Sequence, residues 1–261
     1  MKKLYLFFII IIFNQFTAFS SPYELSDFDN KMYYTIPTVL GLTYKLFYQN
    51  PQGLSVSEIE NLMKKELLSI NKLSVNNYNN DIALLSDILL TMSLSIAAFQ
   101  VFDGKIISDW PTYGAMFLET TSITLGTTLI TKNIVREPRP YIYSEKAPLE
   151  LKKDPDASQS FFSGHAALSF ASMMFFAEIY SSYYPENSNH YLIYLGSIAL
   201  ASTSSILRVF SARHFPIDVL VGAVVGITIG KLIPYIHEKK NEQNFIINNK
   251  SQKIFSINLN L

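Results

Sequence analysis

The stretch RVFSARHFPIDVLVGAVVGITIGKLIPYI, from Arg208 to Ile236, joins a polar cluster to a long apolar run. Arg208, His214 and Asp218 stand where the run begins. The run has about the 20 residues that a helix needs to cross a bilayer. Charged groups at such a boundary are costly unless they are paired or used. The stretch therefore predicts a membrane helix with a functional site at its start.

Small residues recur along this predicted helix. Gly222, Gly226 and Gly230 stand four positions apart, so they share one helical face. Such a face lets the backbone of another helix come close. We interpret it as packing within the chain rather than as a dimer motif.

Four earlier apolar stretches have a similar length. The chain is 49% hydrophobic and only 16% charged, a balance typical of membrane proteins. We predict an all-α, membrane-embedded helical bundle of about five to six transmembrane helices, with a transmembrane domain over residues 81–238. A soluble all-α protein with buried helices remains the alternative. The four stretches are Ala83–Phe102, Tyr113–Thr131, Ala166–Tyr183 and Tyr191–Leu207.

Net charge and cysteine content exclude several functions. The formal net charge is zero, so no overall field attracts nucleic acid. The chain has no cysteine, which excludes disulfides, thiol catalysis and cysteine-bound metals.

The N-terminal residues have the pattern of an export signal. Lys2 and Lys3 precede an apolar run, and Ala18 and Ser20 stand where a signal peptidase cleaves. We predict that residues 1–20 are a signal peptide or an uncleaved signal anchor.

The following residues, 21–80, are predicted to be an exported polar segment. Within it we predict a short amphipathic or interfacial helix at Thr35–Phe47 and a helix at Ser55–Leu68, capped by Ser57. Five spans then place the loop from Asn133 to Ser163 outside. The tail 239–261 is then cytoplasmic, where its lysines agree with the positive-inside tendency.

Three cations in the external segments suit a tetrahedral oxyanion. Lys132, Arg139 and Arg208 can neutralise phosphate, and arginine matches its oxygens two at a time. Ser163 and Gly164 directly precede an apolar helix, whose N-terminal N–H groups can hold an anion. These residues predict a phosphate site.

Two histidines can supply the chemistry at such a site. His214 and Asp218 are four positions apart, so a carboxylate can orient the imidazole as a nucleophile. His165 can protonate the leaving oxygen.

The three segments together resemble the signature of the type 2 phosphatidic acid phosphatase superfamily. They read Lys-x6-Arg-Pro, Ser-Gly-His and Arg-x5-His-x3-Asp in this order. The superfamily includes membrane lipid phosphatases, soluble acid phosphatases and vanadium haloperoxidases. The resemblance implies a phosphohistidine on His214, oriented by Asp218, with His165 as the acid and no metal or cofactor. It also implies phosphate binding by Lys132, Arg139, Ser163, Gly164 and Arg208.

Two positions depart from the usual pattern of the superfamily. Phe162 replaces a common proline, and Leu207 replaces a common serine whose hydroxyl would contact phosphate. We interpret Glu119 and Glu178 as paired within the bundle. The nearby charged residues are interpreted as ordinary loop charges: Arg136, Arg213, Asp154 and Asp156.

We therefore predict a multi-pass protein of a bacterial inner membrane that hydrolyses a phosphate monoester or pyrophosphate of a lipid on the periplasmic side. Its expected partners are the membrane and a phosphorylated lipid, not nucleic acid. The alternatives are a soluble exported acid phosphatase, a haloperoxidase, and a catalytically silent phospholipid-binding or structural membrane protein. The identity of the lipid and the oligomeric state stay open.

Overall fold

The computed structural model describes residues 21–26 and 53–239. The predicted signal segment 1–20, the predicted helix Thr35–Phe47 and residues 240–261 lie outside them. The described part is helical, without a strand longer than a single bridge. Its α-helices are α1 Val56–Met63, α2 Lys72–Val75, α3 Asn80–Phe99, α4 Trp110–Val135, α5 Leu149–Lys153, α6 Gly164–Tyr183, α7 His190–Phe210 and α8 Pro216–His237.

Local sequence signals set the helix boundaries. Ser55 caps α1, because its hydroxyl accepts from the Glu58 N–H while the Glu58 carboxylate accepts from the Ser55 N–H. The predicted cap, Ser57, was therefore wrong by two positions, and the helix is shorter than predicted. Prolines in the first turns of α4 and α8 are well placed, because no N–H is needed there.

Helix α6 is the centre of the bundle. It packs against α3, α4, α7 and α8, and most of its side chains are buried. Its neighbours therefore shield it on several sides. This explains why its alanines and serines replace the larger apolar residues of a lipid-facing helix.

The glycine face of α8 lies directly on the backbone of α6. A Cβ atom on Gly226 would stand 2.3 Å from the carbonyl oxygen of Ala167. Gly222 and Gly230 are equally close to the carbonyls of Ser163 and Ala171. The prediction that this face packs within the chain is confirmed.

We expect Gly226→Ala to destabilise the bundle. The added methyl group meets a backbone carbonyl that cannot rotate away, and overpacking of this kind costs about 1–3 kcal/mol. Gly196→Ala in α7 is the matched control, because nothing lies within 4 Å of its Cβ position. Thermal unfolding in detergent should show a lower midpoint for Gly226→Ala only. Equal midpoints would contradict the close contact.

Within residues 21–26 and 53–239, three helices are long and apolar enough to cross a membrane: Asn80–Phe102, His190–Phe210 and Pro216–His237. The predicted fold class, an all-α membrane bundle, is confirmed. The number of spans and the side of the membrane that the site faces stay predictions. The helices α4 and α6 are more polar, and each carries a glutamate. On α4, Oε2 of Glu119 lies 2.8 Å from Nε2 of His237. On α6, Oε1 of Glu178 lies 3.1 Å from Nζ of Lys231. The pairing predicted for both glutamates is confirmed.

Residues 21–26 lie at the far end of α8. The Glu24 N–H donates to the His237 carbonyl at 3.0 Å, and the Lys239 N–H donates to the Pro22 carbonyl at 2.9 Å. Helix α1 packs instead near Tyr141 and Ala157, which lie by the start of α8. The 22 residues of α8 separate these ends by about 33 Å. The two described parts of the predicted segment 21–80 therefore lie at opposite ends of the bundle.

Candidate active site

The corner between α7 and α8 positions His214. The chain reverses at Ala212, whose φ of 57° is left-handed. The Arg208 carbonyl accepts from the N–H groups of Arg213 at 2.9 Å and His214 at 3.2 Å. The Ala212 carbonyl accepts from the Tyr141 N–H at 3.0 Å. The corner is thus tied to the loop that follows α4, so two of the three motifs meet.

His214 is buried, with 1% of its surface exposed. Its Nε2 lies 3.1 Å from Nη1 of Arg139. Arginine can only donate, so Nε2 accepts and a neutral ring carries its proton on Nδ1. Burial, followed by the charges of Arg139 and Lys132, holds the pKa of His214 well below its usual range. The ring is therefore neutral, with a lone pair on Nε2.

Asp218 faces the other ring nitrogen, but not at hydrogen-bond length. Its Oδ2 lies 3.6 Å from Nδ1 of His214. Oδ2 accepts instead from the Ser160 hydroxyl at 2.5 Å and from the Phe215 N–H at 2.9 Å. Ser160 Oγ is itself 3.5 Å from Nδ1. Ser160, which the motifs do not contain, thus helps to fix the carboxylate beside the ring.

The carboxyl group of Asp218 also lies beside another acid, Glu137. Oδ1 of Asp218 is buried. When Glu137 is ionised, no group within residues 21–26 and 53–239 donates a hydrogen bond to this oxygen. Partial burial and the nearby Asp218 raise the pKa of Glu137 to about 7, and its carboxyl is within hydrogen-bonding reach of Asp218. A protonated Glu137 can therefore donate to this oxygen.

This pair predicts a pH dependence of stability near neutrality. Between the usual glutamate pKa and about 7, the folded protein holds a proton on Glu137 that the unfolded chain releases. Its contribution is therefore full at low pH and is lost as the pH rises through about 7. Unfolding midpoints measured from pH 5 to 8 should fall less in Glu137→Gln, which cannot titrate. Glu145→Gln in the same loop is the control. Equal slopes in all three proteins would contradict the pair.

Arg139 is held at several points. Its Nε donates to the Asp156 carbonyl at 2.9 Å, and Nη2 pairs with the Asp156 carboxylate at 2.8 Å. Although burial alone would raise the pKa of Asp156, Arg139 and Lys132 hold it below its usual value. The interpretation of Asp156 as an ordinary loop charge was wrong. It fixes the guanidinium that touches His214.

Lys132 lies in the last turn of α4, and its charged neighbours are Arg139, Asp156, Arg208 and Asp218. Within the described part of the chain it makes no hydrogen bond or ion pair. Its ammonium group is therefore available to an anion.

The Ser-Gly-His motif forms the start of α6. The Ser163 hydroxyl accepts from the Ala166 N–H at 3.3 Å, so this side chain caps the helix. The Ser163 N–H donates to the Asp218 carbonyl at 3.0 Å, which joins α6 to α8. A Cβ atom on Gly164 would stand 3.0 Å from Thr128, so glycine lets α4 come close. The first N–H groups of α6 remain suited to an anion.

His165 and Arg208 share an acid that the motifs do not predict. Asp87 on α3 places Oδ1 2.7 Å from His165 Nε2 and 2.8 Å from Arg208 Nη1. Arg208 Nε is buried and has no acceptor among the described residues. All of the predicted site residues thus lie at one end of the bundle. Their individual roles stay predictions.

A buried neutral imidazole lies among three cations, beside a helix N-terminus, an arrangement that is suited to a tetrahedral anion. The chain belongs to the PAP2 superfamily, whose model matches residues 113–242. The match covers the three motifs, most of α4, and all of α6, α7 and α8. The predicted resemblance is confirmed.

Two further similarities are with individual proteins. Over 82 residues the chain is 38% identical to lipid A 1-phosphatase of Porphyromonas gingivalis. These aligned residues make up 31% of this chain and 17% of that protein. The chain thus spans a small part of that relative's length. The crystal structure of a transmembrane PAP2 type phosphatidylglycerolphosphate phosphatase from Bacillus subtilis is also similar. It has a TM-score of 0.40 and 20% identity, over 78% of this chain and 94% of that chain.

Proposed function

We propose that the protein is a membrane phosphatase that hydrolyses a phosphate monoester or pyrophosphate of a lipid through a phosphohistidine. The observation that carries this proposal is the state of His214. Its Nε2 accepts from Arg139 at 3.1 Å, so the ring is an uncharged nucleophile inside a cationic site.

Substrate binding and attack follow from this contact. A phosphate dianion held by Lys132, Arg139 and Arg208 draws the Arg139 N–H away from Nε2. The freed lone pair forms the N–P bond while the bond between phosphorus and the leaving oxygen breaks. His165 gives its proton to that oxygen. Asp218 stabilises the positive ring through the Nδ1–H.

The second half of the reaction returns the site to its starting state. Water attacks phosphorus, its proton passes to His165, and the N–P bond breaks. The products are inorganic phosphate and a neutral His214. Protons balance over the two steps, because His165 loses one in the first and gains one in the second.

The cations can replace a divalent metal in this reaction. They lie around the same anion position and neutralise the charge that develops on the phosphoryl oxygens. We therefore propose metal-independent catalysis that uses no cofactor.

A lipid substrate is supported by where the site lies. The third motif lies between α7 and α8, two helices that are apolar enough to cross a membrane, so a phosphorylated headgroup can arrive laterally. The similarity to a lipid A 1-phosphatase agrees with this substrate class.

Purified protein with excess chelator should be tested on phosphatidate, phosphatidylglycerol phosphate, polyprenyl pyrophosphate and lipid A. We expect metal-free release of phosphate from at least one, inhibited by vanadate, whose trigonal bipyramid resembles the transferring phosphoryl group. A strict magnesium requirement would contradict the mechanism. Phosphate binding without any turnover would favour a silent phospholipid-binding protein. Detergent-free extraction would favour a soluble acid phosphatase, and halide oxidation with vanadate a haloperoxidase.

We also propose that the site end of the bundle faces the periplasm of a bacterial inner membrane. The lysine-rich tail supports a cytoplasmic end for α8. Residues 22–24 pair with the same end. Residues 21–26 and the site therefore lie at opposite ends of α8, so only one of them can be periplasmic. We propose that the site is periplasmic.

Reporter fusions test this orientation. A reporter inserted near Asp154 should report the periplasm, whereas reporters near Ser26 and after Lys253 should report the cytoplasm. The reverse pattern would place the site inside. The same side for Ser26 and Asp154 would contradict the pairing of residues 22–24 with the end of α8.

A further inference from the structure

We propose that Asp87 is a positioning residue for the acid step, which favours the protonated form of His165 and aims it at the leaving oxygen. This inference rests on the proposed function. Asp87 lies on α3, outside the three motifs, and it contacts both His165 and Arg208.

The contact determines which nitrogen of His165 is available. Nε2 is 2.7 Å from Oδ1 of Asp87. Nδ1 makes no hydrogen bond within the described part of the chain. A protonated ring thus donates through Nε2–H to Asp87 and keeps Nδ1–H for the departing oxygen.

Charge explains why this acid is needed. His165 is partly buried and stands near Arg208 and Arg139, and both burial and nearby cations disfavour a positive charge on the ring. A neutral imidazole bonded in this way would have little tendency to release a proton to an alkoxide. Asp87 supplies a carboxylate in direct contact with the ring, which opposes the effects of burial and of the arginines.

Asp87 also binds part of the Arg208 guanidinium group. The 2.8 Å ion pair engages Nη1. Asp87 is half exposed, with 53% of its side chain accessible, whereas Arg208 is 7% exposed. The carboxylate therefore competes with a phosphate for the guanidinium. Removing its charge should tighten anion binding while it weakens proton donation.

The test compares two leaving groups and one inhibitor in Asp87→Asn. For a phosphorylated lipid, whose alkoxide needs a proton, we expect kcat to fall by about 10²-fold. For p-nitrophenyl phosphate, whose phenolate leaves unaided, we expect a fall of less than about tenfold. The inhibition constant for vanadate should decrease several-fold. A structural defect would reduce both activities and weaken vanadate binding together.

Asp81→Asn is the matched control, because Asp81 is an exposed acid on the same helix. It should leave both activities and vanadate inhibition unchanged. Asp87→Ala should reproduce the pattern of Asp87→Asn. An equal loss on both substrates, no loss on either, or weaker vanadate inhibition in Asp87→Asn would overturn the proposal. Inactivity of the unmodified protein would instead overturn the proposed function.

Discussion

His214→Ala is expected to abolish turnover of every phosphate ester and to leave no covalent phosphoenzyme. The substitution removes the atom that bonds to phosphorus, and the cations that remain can bind the substrate but cannot attack it. Loss of a reacting group of this kind costs on the order of 10⁴-fold or more in kcat. The measurement is steady-state turnover together with a quench that traps phosphorylated protein.

His190→Ala is the control for this result. His190 begins α7 at the other end of the bundle, where its Nε2 lies 2.8 Å from the Tyr184 carbonyl. It should keep full activity. The activity of Asp218→Asn should lie between those of His214→Ala and His190→Ala. Its amide oxygen still accepts from Ser160 but carries no charge to stabilise the ring. A phosphoenzyme in His214→Ala would show that another residue is the nucleophile.

His165→Ala is expected to divide substrates by their leaving group. An alkoxide leaves poorly without a proton, so hydrolysis of a lipid monoester should slow by about 10²–10⁴-fold. An acidic phenol leaves unaided, and cleavage of its ester should slow much less. The quantity to measure is the ratio of the two rates, with phosphoenzyme formation followed separately.

The ratio separates the acid role from a structural one. Ser163→Ala provides a comparison at the same helix start, because it removes the cap without removing the acid. The loss of activity in Ser163→Ala should be similar for both substrates, whereas the loss in His165→Ala should be larger for the lipid monoester. If His165→Ala slows both esters equally, His165 does not act as the general acid.

Local spacing allowed much of the fold to be predicted. The apolar stretches became helices, and the glycine face on α8 met the α6 backbone, because both depend on a helical repeat within one segment. The boundaries were less predictable. Ser55 rather than Ser57 caps α1, since the choice depends on which serine pairs with Glu58.

The site was only partly predictable for a different reason. Asp87 lies on α3, far from the motifs in the chain. Glu137 lies inside the first motif and Ser160 lies three positions before the second, but no local spacing indicates that both meet Asp218. Asp87 is 78 positions from His165, and Ser160 is 58 positions from Asp218. An intramembrane acid in the stretch Ala83–Phe102 was the available signal for Asp87, because such acids are costly unless used.

Asp156 shows how a sequence cannot distinguish a solvated loop charge from a structural one. It stands two positions from Asp154 in a loop, yet its carboxylate holds the buried Arg139. The placement of residues 21–26 was equally hidden. It depends on backbone pairing with residues 237–239, more than two hundred positions away.

Mapping the trapped phosphoryl group tests the mechanism most directly. The protein is mixed with substrate, quenched in base, in which phosphohistidine is stable, and digested for mass spectrometry. We expect phosphate on the peptide that contains His214, lost on brief treatment with acid, and absent in His214→Ala. Phosphate on any other residue would contradict a phosphohistidine on His214. The claim would also be contradicted if labelled water oxygen entered the phosphate product but no phosphoenzyme could be trapped, in both the unmodified protein and His165→Ala.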